Sequence, residues 1–181
     1  MGFRMNFDRL PSGMPPVFPT KRGGEEEVVS RPKLDREAKA SAVELAVANN
    51  DYYAIKQLAP KMSEKELTGM LFFASALRTT KAQTVHMLVD FGANVRARDA
   101  YGRTCLHEAA AFGNVETSIE LVKVGVEVDA VSRDGSTAAV EAGKFRHYEV
   151  ASALGDMHAD MRIRNRYGRN AESYLEDLRR A

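Results

Sequence analysis

Apolar and small residues along this chain fall into short segments that come in pairs, separated by polar, glycine-containing turns. The clearest pair lies between residues 99 and 130. Cys105–Phe112 is rich in small and apolar side chains, and Gly113 and Asn114, which both tolerate positive φ, suit its end. Val115–Lys123 then carries apolar residues at helical spacing, and Gly125 follows it. This pattern predicts two short helices joined by a tight turn.

The same stretch matches a known repeat pattern, D-x-x-G-x-T-P-L-H-x-A-A followed by G-H/N and L-L-x-x-G-A-D-V-N-A. The matching positions are Asp99, Gly102, Thr104, Leu106, His107, Ala109, Ala110, Gly113, Asn114, Leu121, Gly125, Val128 and Ala130. Cys105 stands where the pattern prefers Pro, and Asp129 where it prefers Asn. The stretch therefore resembles an ankyrin repeat, and neither departure threatens that fold.

One such repeat cannot bury its own apolar face, so the resemblance requires neighbours at a fixed period. Gly102, Gly135 and Gly168 follow one another at intervals of 33 residues, the length of an ankyrin repeat. Gly69 lies one interval before Gly102. The resemblance then implies an all-α fold, an ankyrin-repeat α-solenoid of about four stacked helix-turn-helix repeats with hairpin loops.

The predicted ankyrin-repeat domain covers residues 34–181. Its repeats are 35–63, 64–98, 99–131 and 132–164, and residues 165–181 form a half-repeat that closes the stack. Besides the two helices above, we expect helices over residues 42–49, 52–58, 64–77, 83–91, 137–145, 148–157 and 170–180. The junction between the first two repeats is shorter than the later ones, which predicts a shrunken hairpin. Ser63 and Glu66 have the spacing of a capping box there.

Residues 1–33 hold most of the prolines and the acidic run Glu25-Glu26-Glu27, and we expect them to form an extended tail. The tail is either a disordered leader or a segment that packs on the solenoid or a partner. Pro16 to Lys21 fits a minimal PxxPxK ligand pattern. A cytoplasmic location is predicted. The alternative is a mitochondrial presequence, because the basic residues Arg4 and Arg9 lie near the start of the chain.

Composition and motifs exclude several classes of protein. A net charge of +1 makes no general case for nucleic acid, and no apolar run is long enough to span a membrane. His107-Glu108 begins like the zinc motif H-E-x-x-H but lacks the second His, and the resemblance implies that His107 is structural. Cys105 and His107 are two residues apart, so on a helix their side chains diverge. We therefore expect no enzyme, metal, cofactor or small-molecule substrate.

The resemblance implies that partners bind along the concave side and the hairpin tips of the repeats. Arginine and aromatic residues, which anchor many interfaces, are frequent at these positions. The candidate binding residues are Arg96, Arg98, Tyr101, Arg103, Phe112, Arg133, Phe145, Arg164, Arg166, Tyr167 and Arg169. A partner protein with an acidic surface or segment would suit them. Equally, the arginines could be solvated or could tie adjacent hairpins together through Asp99 and Asp134.

From these features we predict a non-catalytic protein–protein interaction module, a scaffold or an accessory subunit of a larger assembly. The alternative is an RNA-associated subunit that uses the basic tip from Arg162 to Arg169.

Overall fold

Pairs of short helices fill the part of the chain that the structure describes. The computed structural model describes the backbone of residues 36–180 and the side chains of residues 42–176, so the predictions for residues 1–33 lie outside the described residues. The helices are α1 (Arg36–Ala48), α2 (Tyr52–Leu58), α3 (Glu64–Ala76), α4 (Ala82–Asp90), α5 (Cys105–Phe112), α6 (Val115–Lys123), α7 (Ala138–Lys144), α8 (Tyr148–Asp156) and α9 (Ala171–Arg180). Within these bounds there is no strand, and the all-α prediction is confirmed.

Most helix bounds agree with the sequence-based prediction. Helices α2, α5 and α6 have the predicted bounds, and the others differ by one residue at one or both ends, except α1, which begins earlier than residue 42. The hairpin between the first two repeats has shrunk as expected: a 3₁₀ turn, Ala59–Lys61, leads almost directly into α3. The capping box is present, since the Ser63 amide donates to Glu66 Oε2 over 2.9 Å and the Glu66 amide donates to Ser63 Oγ over 3.3 Å.

The helices stack in two layers. The first helices of successive repeats, α1, α3, α5, α7 and α9, contact one another in that order, and the second helices α2, α4, α6 and α8 form the other layer. A column of fully buried side chains runs through the second layer at one residue per repeat. Its members are Ile55, Leu88, Leu121 and Leu154, each one repeat length after the last. Each repeat therefore buries its apolar residues against its neighbours.

Hairpin turns at the later junctions repeat one hydrogen-bond pattern. The amides of Asp99, Ser132 and Asn165 each donate to the carbonyl four residues ahead, over 2.9, 3.0 and 2.9 Å. The glycine inside each turn has positive φ, for example 73° at Gly102 and 80° at Gly135, where a side chain would be strained. Because the same bond recurs one repeat later, the three hairpins have the same local structure.

Adjacent hairpin tips are also bonded to each other. The Arg133 amide donates to the Tyr101 carbonyl over 2.9 Å, and the Arg166 amide donates to the Asp134 carbonyl over 2.8 Å. These bonds fix the position of each tip relative to the next one.

Gly143, near the end of α7, tests how closely the last helix packs. A Cβ atom there would lie 2.8 Å from Cβ of Tyr174 on α9, whereas a Cβ on Gly69, within α3, would meet nothing within 4 Å. We expect Gly143→Ala to lower the free energy of unfolding by about 1–3 kcal/mol through overpacking. Gly69→Ala is the matched control and should raise it by up to about 1 kcal/mol, because alanine favours the helix. Urea unfolding followed by circular dichroism measures both; equal stability of the two variants would contradict this packing.

Candidate protein-binding groove

A groove of about 740 Å³ opens where the hairpins of the third and fourth repeats meet the first helices α5 and α7. Its lining residues come from two hairpins and two helices that are each held by the repeat stack. They are Tyr101, Arg103, Glu108, Ala111, Phe112, Ser132, Arg133, Asp134, Glu141, Lys144 and Phe145. We call this depression the groove.

Two phenylalanines at equivalent positions form the apolar part of the groove. Phe112 is the last residue of α5 and Phe145 follows the last residue of α7, and these residues are 46% and 50% exposed. Gly113, in the left-handed conformation, stops α5 directly after Phe112. Tyr101, on the hairpin tip, is 67% exposed. Exposed rings of this size, gathered in one concavity, are typical of a surface that a partner covers.

Carboxylates form the floor of the groove. The side chains of Glu108 on α5 and Glu141 on α7 are only 14% and 9% exposed. Arg103 Nη2 lies 2.6 Å from Glu108 Oε1 and 2.7 Å from Asp99 Oδ2, and Lys144 Nζ lies 3.4 Å from Glu141 Oε2. The cationic groups are more exposed than the acids that they contact, so the groove has an acidic floor beneath a cationic rim.

Burial changes the pKa of one carboxylate of this floor, that of Glu108. It raises the pKa of Glu108, and the neighbouring carboxylates of Asp99 and Glu141 raise it further, against the opposing effect of Arg103. The pKa of Arg103 is itself raised: although burial lowers it, the hydrogen bond to Asp99 and the surrounding carboxylates outweigh burial. The pKa of Glu108 therefore stays above its ordinary value even though Arg103 contacts this carboxylate.

Five of the predicted binding residues meet in this groove, namely Tyr101, Arg103, Phe112, Arg133 and Phe145. The guanidinium carbon of Arg103 lies 5.3 Å from the centre of the Tyr101 ring, a cation–π contact. Sequence reasoning missed Glu108, Glu141 and Lys144. The available signal was that Glu108 and Glu141 are one repeat length apart, as Phe112 and Phe145 are.

Arg96 and Arg98 lie in a separate, smaller depression. Arg98 Nη1 donates to the carbonyls of Gly102 and Val131 over 2.9 and 2.7 Å, and its Nη2 lies 3.6 Å from Glu127 Oε2. Arg98 therefore ties two successive hairpins together through backbone carbonyls, not through Asp99 or Asp134.

The other four candidates belong to the last hairpin and do not line the groove. Arg164 Nη1 donates to the Gly168 carbonyl over 2.6 Å, and the Arg169 guanidinium carbon lies 4.4 Å from the Tyr174 ring centre. Tyr167 is exposed, and Arg166 is bonded to its neighbouring hairpin through its backbone amide.

His107 connects two repeats. Its Nδ1 accepts from the Thr104 amide over 3.1 Å, which leaves Nε2 protonated and donating to the Ser136 carbonyl of the next hairpin over 3.0 Å. Burial lowers the pKa of His107, although the bond to Ser136 opposes the shift. The structural role that the resemblance implied for His107 is confirmed. Among the described side chains, no group of three His, Cys, Asp or Glu residues could hold a metal ion.

Cys105, at the start of α5, is buried, and burial raises the pKa of its thiol to about 12. The thiol is therefore protonated near neutral pH and is a poor nucleophile there.

Comparison with known proteins identifies the repeats. The family model described as ankyrin repeats (3 copies) matches residues 43–131 and 71–165. Neurogenic locus notch homolog protein 2 of Homo sapiens is 27% identical over 165 residues, and the same protein of Mus musculus is similar to the same extent. The match covers 90% of this chain and 6% of each of those proteins. The chain therefore spans a small fraction of the length of these relatives.

His107 gives the stack a pH dependence whose sign follows from its burial. The folded-state pKa lies below the ordinary value of 6.5, so the unfolded chain binds the proton first as pH falls. The stabilisation that the buried, neutral His107 gives the folded protein is therefore complete above about pH 6.5 and is lost as the pH falls below it. From about pH 7.5 to about pH 5.5 we expect the wild type to lose more unfolding free energy than His107→Gln. Urea unfolding at both pH values measures this, and parallel losses in the two proteins would contradict it.

Proposed function

The chain belongs to the ankyrin-repeat family, and on that premise we propose that it is a non-catalytic module that binds a partner protein through the groove. Ankyrin repeats generally mediate protein–protein interactions. In this role the protein acts as a scaffold or as an accessory subunit of a larger assembly. A cytoplasmic location accompanies the proposal as a prediction. No helix among the described residues is long and apolar enough to cross a membrane.

The exposed pair Phe112 and Phe145 is the observation that carries this proposal. The rings lie in one concavity with Tyr101, and about half of each phenylalanine is accessible. Burying a fully exposed phenylalanine is worth about 1.5–3 kcal/mol, so covering the exposed halves of both rings contributes about that much in total toward anchoring a complex.

Part of the groove is already ordered by contacts within the protein, which lowers the cost of binding there. Its two hairpin tips are joined by the bond from Arg133 to Tyr101, and the Arg103 side chain is held between Asp99 and Glu108. Because the Arg103 side chain is already held, a partner does not have to order it.

The acidic partner predicted from the tip arginines is supported at fewer positions than expected. Arg98, Arg103 and Arg164 use their guanidinium groups within the protein. Arg133, on the rim of the groove, forms no side-chain hydrogen bond or ion pair within the described part of the chain, so a carboxylate of the partner could pair with it. We therefore place the acidic group of the partner opposite Arg133, beside the aromatic contact.

The RNA-associated alternative has weaker support. It depends on Arg162 to Arg169, where Arg164 and Arg169 already have partners in the protein and Arg162 Nε lies 3.7 Å from Glu172 Oε1. Binding by this tip would weaken steeply with salt and would be competed by polyanions, whereas aromatic contacts in the groove would respond little to either.

The aromatic pair provides the direct test. Full-length wild type, the double variant Phe112→Ala/Phe145→Ala, and Tyr53→Ala are each used to capture partners, which quantitative mass spectrometry identifies. Tyr53 lies on α2 and is an exposed aromatic residue outside the groove, so it is the matched control. We expect the double variant to weaken binding of a specific partner by about tenfold or more, and Tyr53→Ala to leave it unchanged. Equal recovery of every partner by all three folded proteins would contradict the proposal.

A further inference from the structure

We propose that the floor of the groove, formed by Glu108 and Glu141, receives an arginine side chain of a short partner peptide whose neighbouring residues pack on Phe112 and Phe145. The inference rests on the proposed function and names the chemistry that the partner must bring. This arginine is distinct from the acidic group of the partner that was predicted from the hairpin tips. The rim of the groove, which would bind that acid, is cationic, whereas the floor is acidic.

The two carboxylates present free oxygen atoms to the groove. Arg103 contacts Glu108 Oε1 and Lys144 contacts Glu141 Oε2. The second oxygen of each, Glu108 Oε2 and Glu141 Oε1, has no partner among the described residues. Every buried side-chain oxygen in the described part of the chain has a hydrogen-bond partner, so these two oxygens are not buried. These two oxygens are therefore accessible from the groove. They come from equivalent positions of adjacent repeats and can accept from one ligand together.

The charges of the groove leave room for another cation. The groove is lined by three acids, Glu108, Asp134 and Glu141, and by three cations, Arg103, Arg133 and Lys144. At the floor, however, only Arg103 and Lys144 contact the carboxylates of Asp99, Glu108 and Glu141, so two cations face three acids there. The contact of Lys144 with Glu141 is long, 3.4 Å, and the lysine side chain is 46% exposed. An ammonium group on a flexible, solvated chain is readily displaced from such a contact.

Aromatic rings beside the floor favour a guanidinium group over other cations. The groove already holds Lys144 Nζ 5.2 Å from the centre of the Phe145 ring and Arg103 over Tyr101. A planar guanidinium can stack on a ring and donate to two carboxylates at once, which an ammonium group does less well. The chemistry of the groove therefore fits arginine better than lysine.

A displayed library of short random peptides, selected on the full chain, tests this inference. Peptides that also bind Phe112→Ala/Phe145→Ala are removed during selection. We expect arginine to be enriched at one position among the remaining peptides. The best peptide is then synthesised with arginine, lysine, glutamine or glutamate at that position, and fluorescence anisotropy measures its dissociation constant. Replacing arginine with glutamine should weaken binding by about tenfold or more.

Two variants of the protein separate charge recognition from general damage. Glu108→Gln/Glu141→Gln keeps the shape of the floor and should abolish the difference between the arginine and glutamine peptides. Lys144→Ala removes the competing cation and should strengthen binding of the arginine peptide roughly threefold, whereas a merely destabilised groove would bind it more weakly. Thermal unfolding establishes that each variant is folded.

Several results would overturn the inference. They are the absence of arginine enrichment, a library that yields no groove-dependent peptide, an arginine preference that survives in Glu108→Gln/Glu141→Gln, and weaker binding by Lys144→Ala. Each leaves the proposed function intact if captured partners still require Phe112 and Phe145. If captured partners do not require the two rings, the proposed function fails as well.

Discussion

Contact between neighbouring repeats is the constraint on which the rest of this structure depends. A single pair of short helices exposes its apolar face to water, so each repeat is stable only against the next one. The column of Ile55, Leu88, Leu121 and Leu154 shows the result, because one buried residue per repeat fills the same place along the stack. Polar contacts follow the same repeat, as the bond from His107 to the Ser136 carbonyl of the next hairpin illustrates.

The candidate binding surface is a product of that stacking. The groove has no element of its own: its rings and carboxylates come from equivalent positions of α5 and α7, and its tips are joined by a backbone bond between Arg133 and Tyr101. Because two equivalent repeats lie side by side, each of these side chains occurs twice in the groove. Phe112 gains Phe145 as its neighbour, and Glu108 gains Glu141. The packing that stabilises the repeats therefore also positions the side chains of the groove.

Local signals in the sequence were sufficient for most of the fold. The bounds of α5 and α6 were predictable because Gly113 and Asn114 mark the turn between them, and α3 was predictable from its capping box. The candidate site was predictable only in part. Phe112 and Phe145 were found through the repeat period, but a glutamate on a helix resembles any solvated residue until a neighbouring repeat buries it. The role of Arg98 was also hidden, because it binds backbone carbonyls, which every residue has.

Hydrogen–deuterium exchange of the full chain with and without a purified partner tests the central claim most directly. If the groove binds the partner, amides on the hairpins and first helices over residues 101–112 and 132–145 should exchange more slowly in the complex. Amides of the second helices α4 and α6 should change little. Protection confined to α4 and α6, with unchanged exchange around the groove, would contradict the account.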